Sequence, residues 1–322
     1  MQTENQSVDV VVFGYGAVGI DTTRRLLASG RSVRVAQRRR PADLATGAQF
    51  VATDVLDAAA VLTAARGAGQ IVLSIGFQYD GKIWRQSWPR AMANILAAAE
   101  ATGARVVFLD NLYMYGPQMA PLREDMPLTD YGQKPAARAE VTRMWMAASA
   151  AGRVKFAALR APDFYGPGVG AVSMFGDTGF GTLAKGKAAT LIVNPDRPHE
   201  FAYVPDIGRA VVTLLDAPDD AFGQVWHVPS APTRTPREIL AIGAAALGVP
   251  LKISAMPLWL LPALALVVPA LRGFIEMKFV WDRPYRVDHD KFAARFWGDA
   301  TPFEVGAAAT ALSFRPAVRQ TA

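Results

Sequence analysis

Short apolar runs alternate with alanine-rich stretches of helical periodicity along the first half of the chain. The apolar runs are rich in β-branched residues and predict strands at 8–13, 32–36, 49–52, 70–75, 105–109 and 154–159. The intervening stretches predict helices at 17–29, 57–66, 88–102 and 136–151, each followed directly by a glycine. Such alternation is typical of a parallel sheet with helices on both faces. We therefore predict an α/β fold with a Rossmann-type, doubly wound parallel sheet.

A glycine-rich loop directly follows the first predicted strand. Gly14, Gly16 and Gly19 form the pattern G-x-G-x-x-G, and Ala17 and Val18 open the next helix. In this setting the first glycine permits a tight turn, the second lets phosphates approach the backbone, and the third lets the helix pack against the strand. The helix N-terminus adds free N–H groups for an anion. The loop therefore predicts a binding site for the pyrophosphate of a dinucleotide.

A basic turn follows the second predicted strand, at the position where an NAD site usually carries an acidic residue. This chain has Gln37 there, followed by Arg38, Arg39 and Arg40. Guanidinium groups suit a ribose 2′-phosphate through paired, charge-assisted hydrogen bonds. The turn therefore favours NADP(H) over NAD(H), with Arg38 as the principal contact. The alternative is a solvated basic turn that binds no ligand.

The second half of the chain has a looser pattern, in which proline, glycine and aromatic residues are frequent. Thr235, Pro236 and Glu238 form a capping box that predicts the start of a helix. We expect a dinucleotide-binding domain at 1–165 and a smaller, mostly helical substrate-binding lobe at 166–322. Part of 196–230 is expected to return to the sheet of the first domain.

Residues 253–271 form an uncharged stretch of 19 residues, which is long enough to cross a bilayer. Pro257, Pro262 and Pro269 interrupt it, so we predict a buried helix pair or a lid over an apolar pocket. Peripheral membrane contact is the alternative. The N-terminus is polar and lacks a signal pattern, and the chain has no cysteine. We therefore expect a cytoplasmic protein without an integral membrane span.

Composition excludes several kinds of site. A chain without cysteine forms no disulfides and uses no thiolate chemistry. The three histidines, at 199, 227 and 289, have no metal-ligand spacing, so no metal site is expected. The net charge of +6 and the pI of about 9.6 would suit nucleic acid, but no nucleic-acid-binding module is recognisable. Attraction for an anionic cofactor is the simpler interpretation of the basic cluster.

Four further segments resemble motifs of one protein family, in that family's order. Residues 53–57 (TDVLD) resemble its D-x-x-D stretch, and 94–103 resemble its N-L-L-E-A-A…G helix. Residues 160–168 (RAPDFYGPG) resemble R-x-x-N-x-Y-G-P-G, and 199–207 (HEFAYVPDI) resemble R-D-F-x-x-V-x-D-V. Over about residues 8–230 the chain thus resembles the extended short-chain dehydrogenase/reductases, also called the NAD-dependent epimerase/dehydratase family. Its glycine loop departs from that family's G-x-x-G-x-x-G pattern, which is a feature of atypical members.

The resemblance implies where the cofactor binds. Asp54 would accept a hydrogen bond from the adenine amino group, and Pro162 and Phe164 would lie beside the nicotinamide. The remaining expected cofactor contacts, at strand ends, are Val55, Ile75 and Gly76. The resemblance also implies a homodimer formed through the helices at 88–102 and 136–151.

The catalytic residues depart from the family pattern. Family enzymes use a Ser or Thr and a Tyr-x-x-x-Lys pair, in which the Lys lowers the pKa of the Tyr. Here Asn111 stands at the Ser/Thr position, where it can donate a hydrogen bond but has no hydroxyl. Tyr131 is followed four residues later by Pro135, and Lys134 comes one residue early. We expect Asn111, Tyr131 and Lys134 to form a non-standard catalytic set, with Tyr113 as an alternative proton donor. Lys134 could instead be a solvent-exposed surface lysine.

Other polar residues near the family motifs have two interpretations each. Asp163 stands where many relatives have Asn and is either a functional acid or a turn-stabilising residue. His199 and Glu200 are expected to form a surface pair. His227 lies beside Trp226 in an apolar strand and is expected in the core or a pocket wall.

Together these features predict an NADP(H)-dependent oxidoreductase that moves a hydride to or from a carbonyl, a carbinol or an activated double bond of a small molecule. The expected pocket is apolar and is lined by Trp259, Leu260, Leu261, Phe274, Trp281 and Tyr285. One alternative is a nucleotide-sugar epimerase or dehydratase, whose substrate diphosphate would bind Arg283 and Arg286. Another is a non-catalytic protein that binds or senses NADP(H), which the broken Tyr-x-x-x-Lys pattern favours.

Overall fold

The computed structural model describes residues 7–268 and 271–315, and its centre is a parallel sheet of seven strands. The strands are β1 (Val8–Phe13), β2 (Val33–Gln37), β3 (Gln49–Ala52), β4 (Ala68–Leu73), β5 (Arg105–Asp110), β6 (Phe156–Arg160) and, after three short strands elsewhere, β10 (Val225–His227). Their spatial order is β10-β6-β5-β4-β1-β2-β3, so the chain winds outward in both directions from β1 and β4. The predicted doubly wound α/β fold is confirmed.

Helices cover both faces of this sheet. One face carries α2 (Ala58–Ala65), α3 (Gly81–Thr102) and α4 (Lys134–Ala150). The other carries α1 (Ala17–Ala28), α6 (Val204–Asp216) and α10 (Asp290–Arg295). Successive side chains of β1 serve the two layers in turn: Val11 and Phe13 belong to the first core, and Val10 and Val12 to the second. Burial on both faces explains why β1 is continuously apolar from Val10 to Phe13.

The observed start of α3 differs from the prediction, which placed it at 88. The helix begins at Gly81, and the Asp80 carboxylate accepts a hydrogen bond from the Ile83 N–H at 3.0 Å. Pro89 therefore lies inside the helix. Burial of Trp84 and Trp88 against the sheet outweighs the cost of that proline. Strand β4 likewise starts and ends two residues earlier than the predicted 70–75.

The rest of the chain forms a lobe at the carboxyl edge of the sheet. Two parallel strand pairs lie within it, β7 (Asp163–Tyr165) with β9 (Phe201–Tyr203), and β8 (Ala189–Leu191) with β11 (Ile253–Ala255). The helices packed with them are α5 (Gly181–Leu183), α7 (Pro236–Leu247) and α11 (Phe303–Leu312). The predicted capping box is present at the start of α7, where the side chains of Thr235 and Glu238 cap each other's backbone N–H.

The uncharged stretch after β11 is only partly buried. It forms a 3-10 turn at Leu258–Leu260 and the short helix α8 (Leu261–Val267), and α9 (Arg272–Ile275) follows. Trp259, Leu266 and Val267 are 72%, 77% and 75% exposed. The predicted buried helix pair is therefore wrong, because prolines limit the segment to short turns that each bury only one face. Pro269 lies outside the described residues. Among the helices of 7–268 and 271–315, none is long and apolar enough to cross a bilayer.

Candidate functional site

The glycine loop leads into the N-terminus of α1, and sterics require its glycines. Gly14 has a φ of +95°, and a Cβ there would lie 2.6 Å from the Ser74 carbonyl oxygen. A Cβ at Gly19 would lie 2.2 Å from the Gly14 carbonyl oxygen. At Gly16, by contrast, a Cβ would meet no atom within 4 Å, and no side chain caps the helix. The loop thus leaves open space beside uncapped N–H groups, which is the arrangement that binds phosphate.

A groove of about 890 Å³ runs from this loop along the ends of β1, β2 and β4. We call it the glycine-loop groove. The predicted cofactor residues that line it are Gly14, Gly16, Gln37, Arg38, Arg39, Asp54, Val55, Ile75 and Gly76. Val18 and Gly19 are buried in α1 behind the loop, and Ala17 opens that helix. The sequence reasoning missed Tyr15 and the stretch from Phe77 to Gln78, which also line the groove.

The basic turn after β2 forms one wall of the groove. Arg38 and Arg39 are exposed, and neither has a carboxylate partner among the residues that the structure describes. The Gln37 amide donates to the Arg39 carbonyl oxygen at 2.8 Å and so fixes the turn. Asp54 also shapes its own turn, since its carboxylate accepts from the Leu56 N–H at 3.0 Å. Two unpaired guanidinium groups thus face a groove that fits a dinucleotide.

Asn111 lies at the carboxyl end of β5 and organises the turn that follows. Its side-chain oxygen accepts from the Tyr113 N–H at 3.0 Å, and its own N–H donates to the Asp110 carboxylate at 2.8 Å. Within the described part of the chain, the Asn111 amide nitrogen has no protein acceptor. The Asn111 amide nitrogen is therefore free to donate a hydrogen bond, but Asn111 is not among the residues that line the glycine-loop groove.

Tyr113 lies in the turn after β5 and is not among the residues that line the glycine-loop groove. Its ring stacks on Trp84 with centroids 6.1 Å apart, and its hydroxyl is hydrogen-bonded to that of Tyr79. Burial, together with the negative charge of Asp163, raises the pKa of Tyr113 well above its ordinary value. The hydroxyl is therefore protonated at neutral pH and acts as a hydrogen-bond donor.

Lys134 and Tyr131 are not brought together. Lys134 begins α4 with its side chain fully buried, where its ammonium group forms an ion pair with Glu276 and donates to the Gly273 carbonyl oxygen at 2.6 Å. Tyr131 is 44% exposed, and its ring meets the edge of Phe279. The interpretation of Lys134 as a surface lysine is wrong, and its expected partnership with Tyr131 is not formed. The Lys134 ammonium group pairs instead with Glu276, which lies 142 residues away in the sequence.

Asp163, which is partly exposed, forms a pair with the buried His199 that no sequence pattern predicted. His199 Nε2 lies 2.8 Å from an Asp163 carboxylate oxygen. The imidazole is stacked between Trp281 and Tyr285, with ring centroids 4.4 and 4.8 Å away. The predicted surface pair is wrong, because His199 and Glu200 are both only 3% exposed. The pairing of β7 with β9 brings Asp163 beside this segment, and that pairing has no local sequence signal.

A second space of about 360 Å³ lies in the lobe, and we call it the apolar cavity. Its lining residues are Asp163, Phe164, Ala171, Val172, Ser173, Met174, Thr178, Thr190, Leu191, Ile192, Val193, Phe201, Leu258, Leu261, Phe274 and Trp281. Phe164, expected beside the nicotinamide, is thus found here, as are three of the six predicted pocket residues. Trp259 instead points to solvent, and Tyr285 packs on His199. Neither space includes Pro162 among its lining residues.

The two spaces are neighbours. Gln78 lines the glycine-loop groove, and the ring of the next residue, Tyr79, lies 5.0 Å from the ring of Phe274 in the wall of the apolar cavity. The predicted diphosphate clamp lines neither of them, since Arg283 forms an ion pair with Asp282 and Arg286 is exposed elsewhere.

A buried polar network supports the site from below. His227 is fully buried, in agreement with the prediction, and its Nε2 bonds the Tyr115 hydroxyl at 2.9 Å. The same hydroxyl accepts from the guanidinium of Arg160. Asp110 forms ion pairs with Arg138 at 2.8 Å and with Arg160 at 3.7 Å. The Tyr115 hydroxyl is thus occupied by hydrogen bonds in the interior.

Comparisons with known proteins agree with this geometry. The sequence model of the NAD dependent epimerase/dehydratase family matches residues 10–228. A dTDP-6-deoxy-L-talose 4-dehydrogenase (NAD(P)(+)) from Kitasatospora kifunensis is 30% identical over 269 residues, which cover 77% of this chain and 81% of that protein.

Solved structures with the same fold include two sugar-nucleotide epimerases in complex with NAD. The UDP-glucose 4-epimerase of Thermus thermophilus superposes with a TM-score of 0.78 at 20% identity, over 96% of this chain and 100% of that one. The UDP-glucuronic acid 4-epimerase of Bacillus cereus gives a TM-score of 0.77 at 14% identity, over 96% and 99% of the two chains. At these identities the likeness concerns the fold alone.

Proposed function

The chain belongs to the NAD-dependent epimerase/dehydratase family, and from this premise we propose that it is an NADP(H)-preferring oxidoreductase of a small, neutral, apolar carbonyl or carbinol compound. Proteins of this kind are NAD(P)-dependent enzymes. The observation that carries the substrate class is the lining of the apolar cavity, in which Asp163 is the only charged side chain among the described residues. A neutral, apolar molecule fits such walls best, since a buried charge needs a partner.

The residues of the glycine-loop groove fit a dinucleotide. The uncapped N–H groups at Gly16 and the start of α1 would hold its pyrophosphate, and Asp54 would hold its adenine. A bound nicotinamide supplies or accepts the hydride. The chain itself holds that ring beside the apolar cavity and transfers a proton to or from the substrate oxygen.

The preference for NADP(H) is supported by this chain's own residues. Arg38 and Arg39 line the groove at the end of β2, and Gln37 stands where a carboxylate would repel a 2′-phosphate. The relative from K. kifunensis is named for both cofactors, and the T. thermophilus epimerase holds NAD. The basic turn is therefore the observation that supports NADP(H) as the preferred cofactor.

Asp163 and His199 are suited to move the proton. In the direction of reduction, the substrate oxygen gains negative charge and takes a proton that the ionised Asp163 carboxylate, which faces the cavity, relays from His199 Nε2 across the 2.8 Å contact. Asp163 ends the step ionised as it began, and His199 regains its proton from solvent through Asp163, whose side chain is 27% exposed. Asn111 would donate a hydrogen bond to the substrate oxygen and the protonated Tyr113 would add a second donor, although neither residue lines the apolar cavity itself. In oxidation the same proton moves in the opposite direction.

Sugar-nucleotide chemistry is the second candidate, because the K. kifunensis relative is named as a dTDP-sugar dehydrogenase. A substrate diphosphate would need cations, and none of the described cationic side chains lines the apolar cavity. The cavity therefore favours the apolar substrate, and the two candidates are separable by experiment.

The test begins with fluorescence titration of the full chain by NADPH and NADH, followed by NADPH oxidation with apolar aldehydes and ketones and with a dTDP-4-keto sugar. We expect tighter binding of NADPH and turnover of the apolar compounds. Turnover of the dTDP-4-keto sugar alone would support the second candidate, and no binding of either cofactor would refute an oxidoreductase.

Two variants test the assignment of the proton. Asp163→Asn should keep NADPH binding and lose at least ~100-fold in kcat, because a general acid contributes about that factor. Asp299→Asn is the matched control, since that carboxylate is 74% exposed and pairs only with Arg209 on the surface. An Asp163→Asn protein as active as the control would show that another group supplies the proton.

A further inference from the structure

Exposed apolar side chains are concentrated in one short segment of the lobe. Trp259, Leu266, Val267, Val268 and Ile275 account for five of the eleven large hydrophobic residues that are exposed within the described ranges. We call these five residues the apolar rim. Soluble surfaces rarely gather so many such side chains in one place, and where they do, the patch usually binds something.

The apolar rim belongs to the same segment that walls the apolar cavity. Leu258, Leu261 and Phe274 face inward and line the cavity, while their neighbours face outward. Val172 also lines the cavity and is 75% exposed, so it marks an opening to solvent. Inner and outer surfaces are thus both apolar around this opening.

The two charged side chains of the segment 252–275 are both cationic, and Glu276, which follows Ile275, is paired with Lys134. Arg272 is the only charged residue within 253–275, and it is exposed. Lys252 precedes β11, and its ammonium group lies 3.5 Å from the Gly186 carbonyl oxygen, between the exposed Lys185 and Lys187. Within the ranges that the structure covers, none of these four cations forms an ion pair. The segment therefore presents apolar side chains flanked by unpaired cations.

We propose that the apolar rim and its flanking cations are a docking surface for an anionic lipid bilayer. Short apolar turns with an exposed tryptophan insert at the boundary between headgroups and acyl chains. Nearby lysines and arginines bind the anionic headgroups, so the charge of the surface complements that of the bilayer. The proposal is independent of the catalytic assignment.

The experiment is flotation of the full chain with phosphatidylcholine vesicles, with and without phosphatidylglycerol. We expect the protein to float with the anionic vesicles at low salt and to be released at high salt. The double variant Leu266→Asp, Val267→Asp should bind vesicles at least ~tenfold more weakly, because two carboxylates would face the lipid. The matched control is Met119→Asp, Val305→Asp, which changes two side chains that are 72% and 59% exposed elsewhere.

NADPH titration of the same preparations verifies that each variant is folded. Wild-type protein that stays out of the vesicle fraction would overturn the proposal, and so would a rim variant that floats as well as the control. A rim variant that instead changes from dimer to monomer in size-exclusion chromatography, with no flotation of the wild type, would assign the surface to a second copy of the chain and also overturn it.

Discussion

Two buried titratable groups should give this protein an unusual dependence of stability on pH. Glu200 is only 3% exposed, and burial raises the pKa of its carboxyl from 4.5 to about 7, although Thr233 donates a hydrogen bond to it. Between these two pH values the folded chain keeps a proton that the unfolded chain has lost. Stability therefore falls as pH rises through this window, by about 1.4 kcal/mol per pH unit and about 3 kcal/mol in all.

His227 acts in the opposite direction. Burial lowers the pKa of its imidazole from 6.5 to about 3. The neutral ring donates from Nδ1 to the Asp288 carbonyl oxygen at 2.8 Å and accepts at Nε2 from Tyr115, whose oxygen is already occupied by Arg160. A second ring proton would have no acceptor. As pH falls from 6.5 towards 3, the unfolded chain binds a proton on His227 that the folded chain does not bind. The free energy of unfolding therefore falls by about 1.4 kcal/mol per pH unit.

The two slopes cancel between pH 4.5 and 6.5, and Glu200→Gln should expose the slope of His227. Its free energy of unfolding, relative to wild type, should rise by about 3 kcal/mol from about pH 4.5 to about pH 8. Urea unfolding followed by tryptophan fluorescence at several pH values measures this difference. Glu100→Gln is the control, because Glu100 is 45% exposed and pairs with Arg153 on the surface. A difference between Glu200→Gln and wild type that does not vary with pH would refute the reasoning.

Three further predictions concern the cofactor site and the buried lysine. Arg38→Ala should weaken NADPH binding ~10-fold or more and NADH binding less than about twofold, because one charge-assisted hydrogen bond is lost; equal losses in the two titrations would contradict a 2′-phosphate contact. Gly16→Ala should keep wild-type stability, because its Cβ meets no protein atom, but should lose NADPH affinity, because the Cβ fills the space left for the phosphates. Gly19→Ala should lose both stability and affinity, because its Cβ would overlap the Gly14 carbonyl oxygen. Equal melting temperatures for the two variants would be inconsistent with this difference. Lys134→Met should lower the free energy of unfolding by roughly 3 kcal/mol, because it leaves the Glu276 carboxylate without its cation. Adding Glu276→Met should restore most of that stability, because it removes the unpaired charge. A loss of activity without a loss of stability would instead indicate a catalytic lysine.

Local signals made the sheet and the glycine-loop groove predictable. The glycine loop, its flanking strand and the basic turn lie within about thirty residues of one another, and backbone sterics dictate each of them. The start of α3 differs from the prediction because the alanine-rich pattern covers only 88–102, whereas Asp80 caps the helix two turns earlier.

The partners of Lys134 and His199 could not be predicted in the same way. Lys134 is captured by Glu276 across 142 residues, and His199 meets Asp163 across 36 residues through the β7–β9 pair. Such partnerships depend on how the lobe packs, and no periodicity in the sequence encodes them. His199 and Glu200 look like a surface pair because both are polar, and only the stacked aromatic rings around His199 reveal its burial.

The ion pair between Lys134 and Glu276 also affects how the enzyme exchanges its reduced and oxidised cofactor. Because Lys134 is tied to the lobe, the cofactor would be held by main-chain N–H groups and by exposed arginines at the edge of an open groove. We expect a cofactor held in this way to exchange with the surrounding pool after each turnover. The ratio of reduced to oxidised cofactor in that pool would then decide whether the protein makes the carbonyl compound or consumes it.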